Sequence, residues 1–247
     1  MSGVRGWRGQ FGVIAPSTNT VVEADLSMMH VAGVTVHMGR IAIADKRMGS
    51  DADQEALQEQ IRQEMGAAIA RVSTAEIQLL IMGMSAETFW GGAEGHESFM
   101  ENVQAEAAVP VVTGADACRE ALQALGARRI GVVTPYQQVG DDNVRHYFND
   151  IGVDVVALRG LRCPTATAIA EVPPGEIANA CREVAVSEAE AIVQVGTNLS
   201  AVRLADSAQH WLGIPMIAIN AAIWWSALRK VGLPDVLDGF GPLLARH

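Results

Sequence analysis

The sequence FGVIAPS at residues 11–17 returns as IGVVTPY at residues 130–136. Each copy is an apolar strand that runs into a loop containing proline. A second matched strand follows in each half, IQLLIMGMS at residues 77–85 and AIVQVGTN at residues 191–198. Nearly continuous apolar strands of this kind are typical of parallel sheets that are buried on both faces. We therefore predict an α/β protein in which a duplicated β-α-β-α-β-α unit forms two facing lobes.

Helical patterns separate the strands. Residues 52–72 carry apolar side chains at helical spacing, which predicts an amphipathic crossover helix whose charged residues face solvent. Residues 116–125 form a further predicted helix, and Gly126 ends it. The apolar segment 220–231 predicts a buried C-terminal helix that packs back on the first lobe, and it also favours a homo-oligomer.

The predicted lobes are pseudo-symmetric, and each is a short parallel sheet flanked by helices. We expect residues 1–113 together with 218–247 to form the first lobe and residues 114–217 to form the second. The carboxyl ends of both sheets then surround one cleft, which is where α/β proteins bind their ligands. The cleft between the lobes is therefore the predicted active site.

The composition argues against several classes of protein. A formal net charge of −10 at pH 7 disfavours a nucleic-acid partner. No apolar run approaches the roughly 20 residues that cross a bilayer, so we expect no membrane span. The N-terminal segment has no apolar stretch typical of a signal peptide, which favours a cytoplasmic protein. Three cysteines without metal-ligand spacing favour reduced thiols, and we place Cys118 and Cys181 in helix cores.

Polar side chains follow four of the predicted strands, at the point where each strand ends. Hydroxyl and amide groups beside a helix N-terminus suit the binding of a carboxylate or an oxyanion. Each has an alternative role as a helix cap, and the sequence leaves both roles open. The candidate site residues at these strand ends are Ser17, Thr18 and Asn19, then Met84 and Ser85, then Tyr136, and finally Gly196, Thr197 and Asn198.

Glu87 is the candidate general acid and base. It lies on a loop predicted to face the cleft, and the nearby Trp90, a further candidate substrate contact, can partly desolvate its carboxyl group. A desolvated carboxyl has a raised pKa and can shuttle a proton near neutral pH. The alternative is a helix-capping or surface carboxylate. Tyr136, likewise, is either a donor to an oxyanion or a half-buried aromatic residue.

The sequence contains no recognisable motif for a cofactor. A G-x-G-x-x-G segment after a strand is missing, and so is the phosphate-binding G-x-x-x-x-G-K-[ST] segment. His96, His146 and His210 are isolated from one another and from carboxylates at zinc-ligand spacing. We expect no cofactor and no metal.

Two segments carry a resemblance to a known family. APSTNT at residues 15–20 and GTNL at residues 196–199 resemble segments of the Asp/Glu racemase superfamily, in the branch that contains maleate cis-trans isomerase and arylmalonate decarboxylase. The similarity extends from residue 11 to about residue 231. It implies two lobes that close over a small carboxylate without a cofactor. It also implies that Asn19, Tyr136 and Asn198 bind the substrate carboxylate, with Ser85 as a hydroxyl donor.

The chain departs from this family at the two positions that carry its catalytic cysteines. Met84 and Gly196 stand at the matching places. A thioether does not ionise and glycine has no side chain, so chemistry that depends on a thiolate loses its essential group. Cys163 follows a different strand, and its loop offers the one alternative route for a thiol to reach the cleft.

Three hypotheses follow for the function. The first is a cofactor-independent isomerase or lyase that acts on a small carboxylate through an enolate-like intermediate, with Glu87 replacing cysteine. The second is a hydrolase of a small amide, cyclic imide or enamide, in which Glu87 activates water and Ser85 and Thr197 stabilise the oxyanion. The third is a binding protein for small carboxylates that has lost its chemistry.

Overall fold

Eight parallel strands form two four-stranded sheets in the computed structural model, which describes residues 4–247. The strand order is β2-β1-β3-β4 in the first sheet and β6-β5-β7-β8 in the second, so the predicted duplication and two-sheet α/β fold are confirmed. The strands are β1 (Gly9–Pro16), β2 (Val34–Ile41), β3 (Leu79–Met82), β4 (Val111–Val112), β5 (Arg129–Thr134), β6 (Asp154–Gly160), β7 (Ala191–Gln194) and β8 (Met216–Ala218).

Helices connect and flank these strands. One 3-10 helix, Ala168–Glu171, lies in the long connection after β6. The α-helices are α1 (Val22–Met28), α2 (Asp51–Ser73), α3 (Ala86–Phe89), α4 (Gly92–Ala107), α5 (Gly114–Leu125), α6 (Gln138–Asp150), α7 (Pro174–Val184), α8 (Val202–Leu212), α9 (Ile219–Lys230) and α10 (Pro242–Arg246).

The glycine of the repeated strand motif has the same task in both sheets. A Cβ at Gly12 would lie 2.5 Å from Ile77 Cδ1, just beyond the end of α2. At Gly131 it would lie 2.4 Å from the carbonyl oxygen of Val184, the last residue of α7. The missing side chain therefore lets each crossover connection approach the central strand of its sheet.

The ends of α5 show why the sequence begins and ends a helix there. The Thr113 side chain accepts a hydrogen bond from the N–H of Asp116 at 3.1 Å, which satisfies one of the unpaired donors of the first turn. Gly126 follows the helix with a φ of +68°, as predicted for a glycine at this position. Cys118 in α5 and Cys181 in α7 are buried, which confirms their predicted place in helix cores.

Helix α9 is buried, as predicted from its apolar sequence. It packs against α1, β3 and β4 of the first sheet, and also against α5 and β8. The division into lobes at 113/114 and 217/218 stays a prediction. None of the helices within residues 4–247 is long and apolar enough to cross a membrane. The same residues contain no group of three or more His, Cys, Asp or Glu side chains placed to hold a metal ion.

Helix α2 differs from its predicted pattern. Gln54 and Gln58 are buried, whereas the apolar Leu57 and Met65 are half-buried. Arg62 is exposed, as predicted for the charged residues of this helix, and its guanidinium also pairs with the buried carboxyl of Glu87. The sequence pattern failed because this helix packs over a polar cleft as well as over the apolar sheet.

Candidate active site

The carboxyl ends of the two sheets meet around a cavity of about 70 Å³, which we call the cleft cavity. It lies where the loops after β1, β3, β5 and β7 converge, as expected for facing α/β lobes. Most of the predicted site residues line it, namely Thr18, Asn19, Met84, Ser85, Glu87, Tyr136, Gly196, Thr197 and Asn198.

Two predicted substrate contacts lie elsewhere. The described residues that line the cleft cavity do not include Ser17 or Trp90. Ser17 is exposed, and its hydroxyl exchanges hydrogen bonds with the backbone N–H and carbonyl of Ile43. Trp90 follows the end of α3 and lines a separate outer cavity of about 600 Å³, together with Arg62 and Glu87. Pro16 and Thr18, on either side of Ser17, do line the cleft cavity, so it is the Ser17 side chain that is directed elsewhere.

Asn19 caps α1 and also joins the two lobes. Its Oδ1 accepts hydrogen bonds from the N–H groups of Val21 and Val22, each at 3.0 Å. Its Nδ2 donates to the carbonyl of Gly83 at 3.3 Å and to Thr197 Oγ1 at 3.0 Å. Both amide hydrogens are therefore engaged within the protein, so the capping role left open by the sequence holds for this residue.

Asn198 makes the corresponding contacts from the second lobe. Its Oδ1 accepts from the N–H of Thr20 at 3.0 Å, and its Nδ2 donates to the carbonyls of Ala166 at 2.9 Å and Thr18 at 3.4 Å. Thr197 Oγ1 donates to the carbonyl of Gly83 at 3.0 Å. These bonds tie the strand-end loops of one lobe to those of the other. The role of Asn19 and Asn198 in binding a carboxylate stays a prediction.

Ser85 and Tyr136 form a pair of hydroxyl groups at the cavity. Ser85 Oγ and the Tyr136 hydroxyl oxygen lie 2.7 Å apart, and Ser85 Oγ also accepts from the N–H of Thr197 at 3.2 Å. Burial raises the pKa of Tyr136 well above its usual value, so its hydroxyl stays protonated at neutral pH. The two hydroxyl groups carry two hydrogens, and one of these forms the hydrogen bond between Ser85 and Tyr136. The other hydrogen is available to an oxygen atom of a ligand.

Glu87 lies in the first turn of α3 and not on a loop as predicted, and it forms part of the wall between the cleft cavity and the outer cavity. Its side chain is 2% exposed, and Oε2 accepts a hydrogen bond from Arg62 Nε at 3.2 Å. Oε1 is buried and has no hydrogen-bond partner among residues 4–247. Burial raises the pKa of Glu87 to about 7, although the Arg62 guanidinium opposes this shift. The carboxyl is thus suited to both accept and donate a proton near neutral pH.

The positions of Met84 and Gly196 differ in the room they offer a side chain. Met84 is buried and lines the cleft cavity. Gly196 has a φ of +109°, and a Cβ there would lie 2.7 Å from Cδ and 2.8 Å from Cγ of Pro135. The backbone and the proline ring both require glycine at residue 196.

Cys163 does not bring a thiol to the site. It is buried, and the described residues around the cleft cavity do not include it. Burial raises the pKa of its thiol to about 11, so it is not a thiolate at neutral pH. The loop after β6 does approach the cavity, but with Ala166 and Ile169.

Comparison with known proteins agrees with this fold. The family model described as arylmalonate decarboxylase matches residues 11–244. The chain belongs to the arylmalonate decarboxylase family. Like its relatives in this family, it is a cofactor-independent enzyme of the isomerase or lyase class, which argues against the non-catalytic hypothesis.

Individual relatives cover nearly the whole chain. The maleate isomerase of Nocardia farcinica is 25% identical over 245 residues, which span 95% of each protein. A structure of that maleate cis-trans isomerase, a cysteine-to-serine variant with a covalently bound succinylcysteine intermediate, matches with a TM-score of 0.86 over 97% of this chain and 99% of the other. A crystal structure of arylmalonate decarboxylase, 17% identical, matches with a TM-score of 0.78 over 95% and 98% of the two chains.

This member of the family has site residues that the sequence analysis missed. Helix α2 covers the cleft cavity with several side chains that all face inward, among them Gln54, Leu57, Gln58 and Ile61. Gln54, Gln58 and Ile61 lie at i, i+4 and i+7, so they share one face of the helix. The signal available in the sequence was that Gln54 and Gln58 occupy two successive positions on a helix face that is otherwise apolar.

Proposed function

We propose that this enzyme is a cofactor-independent isomerase or lyase that acts on a small carboxylate through an enolate-like intermediate, with Glu87 as acid and base in place of cysteine. The observation that carries the proposal is the buried carboxyl of Glu87. It lines the cleft cavity, one of its oxygens has no partner in the described part of the chain, and its pKa is about 7. A general acid–base group is most effective when its pKa lies near the working pH.

The hydroxyl groups of Ser85 and Tyr136 suit the negative charge of an enolate-like intermediate. They lie on opposite lobes and are 2.7 Å apart, so one ligand oxygen can approach both. Because the N–H of Thr197 already holds Ser85 Oγ at 3.2 Å, the pair is positioned before a substrate arrives. Donors that are fixed in advance stabilise developing charge better than donors that must reorient.

The size of the cleft cavity favours a short-chain substrate. A volume of about 70 Å³ is room for roughly five water molecules at the 10–15 Å³ that each requires. An acid with a few carbon atoms fits this space, whereas an aryl substituent requires the lobes or α2 to move. The substrate is therefore closer in size to the maleate of the isomerase relatives than to an arylmalonate.

The test compares wild type with Glu87→Gln by proton NMR, on a panel of maleate, a short-chain malonate, an arylmalonate, a hydantoin and a small cis-unsaturated amide. We expect wild type to convert at least one compound and Glu87→Gln to lose about 10²- to 10⁴-fold in kcat/KM. Glu59→Gln is the matched control, because Glu59 is an exposed carboxylate that contacts the same Arg62. Activity of Glu87→Gln within tenfold of wild type would show that another group moves the proton.

A hydrolase is the second candidate, because the cleft cavity that Glu87 lines has room for water, and Glu87 Oε1 has no partner within residues 4–247. The same carboxylate can then activate water for attack on an amide or imide carbonyl. Solvent labelled with oxygen-18 separates the two reactions. Label in the product indicates hydrolysis, and unlabelled product with exchange of a carbon-bound hydrogen indicates the enolate route.

A further inference from the structure

Glu87 belongs to the linings of two cavities. It lines the cleft cavity of about 70 Å³ and also the outer cavity of about 600 Å³. No other described residue lies in both linings. Its side chain is buried, so the carboxyl group is part of the wall between the two spaces. A group in this position can exchange a proton with a ligand in the cleft and with water in the outer cavity.

The outer cavity lies between α2 and α4, and it is large and polar enough to hold water. Its volume is room for roughly 40 water molecules or more at the 10–15 Å³ that each requires. Arg62 of α2 and both Asn102 and Glu106 of α4 line it and are exposed, so the cavity is open to solvent. Their polar groups can hold water by hydrogen bonds. Water in the outer cavity therefore exchanges with the bulk.

The charged partner of Glu87 lies at the outer cavity. Arg62 lines this cavity, and the described residues that line the cleft cavity do not include it. Its Nε donates to Glu87 Oε2 at 3.2 Å, and its side chain is 41% exposed. The guanidinium stabilises the carboxylate that remains when a proton leaves Glu87, and it does so on the side that solvent reaches.

The cleft cavity offers no comparable supply of water during a reaction. It has room for roughly five water molecules, and a substrate of a few carbon atoms displaces them. Exclusion of water also protects an enolate-like intermediate from side reactions. A proton that Glu87 donates to the substrate must therefore be replaced from another side while the cleft is occupied.

We propose that the outer cavity is the proton path of this enzyme, through which Glu87 exchanges its proton with solvent while the substrate occupies the cleft. This inference rests on the proposed function and adds how the acid–base group is restored in each turnover. After Glu87 has donated its proton, the carboxylate takes one from a hydronium ion in the outer cavity and leaves water. After Glu87 has taken a proton from the substrate, the carboxyl releases it to water, which becomes hydronium.

Gly66 is the position at which this path can be closed. It lines the outer cavity one helical turn after Arg62, and a helical side chain points back toward the N-terminus, so a larger residue would lie over the guanidinium. A Cβ at Gly66 would lie 3.1 Å from Oε2 of Glu106, an exposed side chain that can move. Gly66→Leu therefore fills part of the outer cavity.

Two further variants make the test specific. Gly66→Ala is the matched control, because it removes the glycine from the helix but adds only one methyl group to the cavity. Ala166→Leu is the counterpart for the cleft, because Ala166 lines the cleft cavity. Melting temperatures show that each variant is folded.

Carbon-13 NMR of the full chain, labelled at the side-chain carboxyl of glutamate, measures proton exchange without a substrate. The signal missing from Glu87→Gln identifies Glu87, and at pH 7 its protonated and ionised forms are both populated. The line shape gives the rate at which the two forms interconvert. We expect Gly66→Leu to lower this rate at least about tenfold, because the proton must then wait for a local opening of the structure. Gly66→Ala and Ala166→Leu should keep the wild-type rate.

Hydrogen retention links the path to the reaction. For a compound of the NMR panel that wild type isomerises, turnover in deuterium oxide should place solvent deuterium at the position that receives the proton. Gly66→Leu should instead return more of the substrate's own hydrogen, because Glu87 then keeps the proton that it has taken. Gly66→Ala should match wild type.

The outcomes separate the proton path from the proposed function. An exchange rate in Gly66→Leu equal to that of wild type would overturn the path, and so would an equal loss of rate in Ala166→Leu. Slow exchange in Gly66→Leu together with full activity of Glu87→Gln would keep the outer cavity as the route to this carboxyl and remove Glu87 from the chemistry.

Discussion

The loops that follow β3 and β7 occupy the same place in the two copies of the duplicated unit, yet they differ in chemistry. The β3 loop, which is taken as residues 83–87 and so includes the first two residues of α3, brings the carboxyl of Glu87 to the cleft cavity, with a pKa of about 7. The β7 loop, residues 196–200, begins with a glycine that cannot accept a side chain, and the side-chain amide of Asn198 is already paired. Duplication therefore repeats the fold and the contacts between lobes, but it does not repeat the ionisable group.

This asymmetry restricts the reaction. Exchange of a proton between two faces of a substrate requires an acid and a base on opposite sides of it. Here the first lobe provides the group that titrates near neutral pH, and the second lobe provides Tyr136, whose pKa is raised by burial. Under the proposed function, a proton therefore enters and leaves the substrate from the side of Glu87, while Tyr136 holds an oxygen atom in place.

The largest expected effect comes from adding a side chain to the β7 loop. Gly196→Ala should lower the free energy of unfolding by about 3 kcal/mol, because its φ is +109° and the new Cβ would overlap the ring of Pro135. Urea denaturation measures the loss. Gly213→Ala is the matched control, since its φ is +74° and no described atom lies within 4 Å of the added Cβ, so about 1 kcal/mol is expected there.

Equal losses in the two glycine variants would show that backbone conformation alone explains the requirement for glycine at residue 196. The β7 loop would then have room for a side chain once its backbone relaxed. The contrast between the two loops would in that case rest on the carboxyl of Glu87 alone.

The second prediction concerns the pH dependence of stability that Glu87 brings to the β3 loop. Its folded-state pKa of about 7 is above the ordinary value of 4.5, so the folded protein binds this proton more tightly than the unfolded chain. Stability from this group is complete below pH 4.5 and is lost as the pH rises to 7, by about 3 kcal/mol in total. Glu87→Gln should therefore gain about 3 kcal/mol over wild type between pH 4.5 and pH 8.

Chemical denaturation of both proteins at several pH values measures this difference. Asp25, which is also buried and has a pKa of about 6, titrates in wild type and variant alike and cancels in the comparison. If the difference in free energy of unfolding between wild type and Glu87→Gln does not change with pH, Glu87 keeps an ordinary pKa. Glu87 in the β3 loop would then not be suited to transfer a proton near neutral pH.

The repeated strands show how much of the fold the sequence could predict. A nearly continuous apolar strand that is buried on both faces has few alternatives, so residues 11–17 and 130–136 identified the central strands β1 and β5. The role of Gly126 in ending α5 could be predicted equally well, because the residue after a helix often adopts a left-handed conformation that favours glycine. Such features depend on local backbone geometry, which the sequence determines directly.

The candidate site was less predictable, for physical reasons. The position of the strand ends located the cleft but could not say which side chains face it, and the side chains of Ser17 and Trp90 are directed elsewhere. Gln54 and Gln58 were missed because helical periodicity shows only which face of a helix is apolar and which is polar. It does not show that a polar side chain faces a cavity between two lobes instead of solvent.

The third prediction changes the neighbour of Glu87 and leaves the carboxyl itself in place. Arg62→Met removes the guanidinium that lowers the Glu87 pKa, so this pKa should rise by about one unit or more. The acid limb of the pH profile of kcat/KM should move up by the same amount, as measured on a substrate found by the NMR panel. Arg71→Met, on the same helix but bonded to the Arg40 carbonyl, should leave the profile unchanged. A profile that does not move in Arg62→Met would assign the limb to another group.

The smallest effect is expected at Cys163, the remaining thiol near the cleft. Its loop approaches the cavity through Ala166 and Ile169, whereas the thiol itself is buried away from the described cavity lining, with a pKa of about 11. Cys163→Ala should therefore change kcat/KM by less than about twofold, against the 10²- to 10⁴-fold loss expected for Glu87→Gln. A loss of the larger size in Cys163→Ala would return the chemistry to a thiol on the second lobe. The asymmetry between the lobes would then be reversed, with the carboxyl of Glu87 supporting a reaction that cysteine performs.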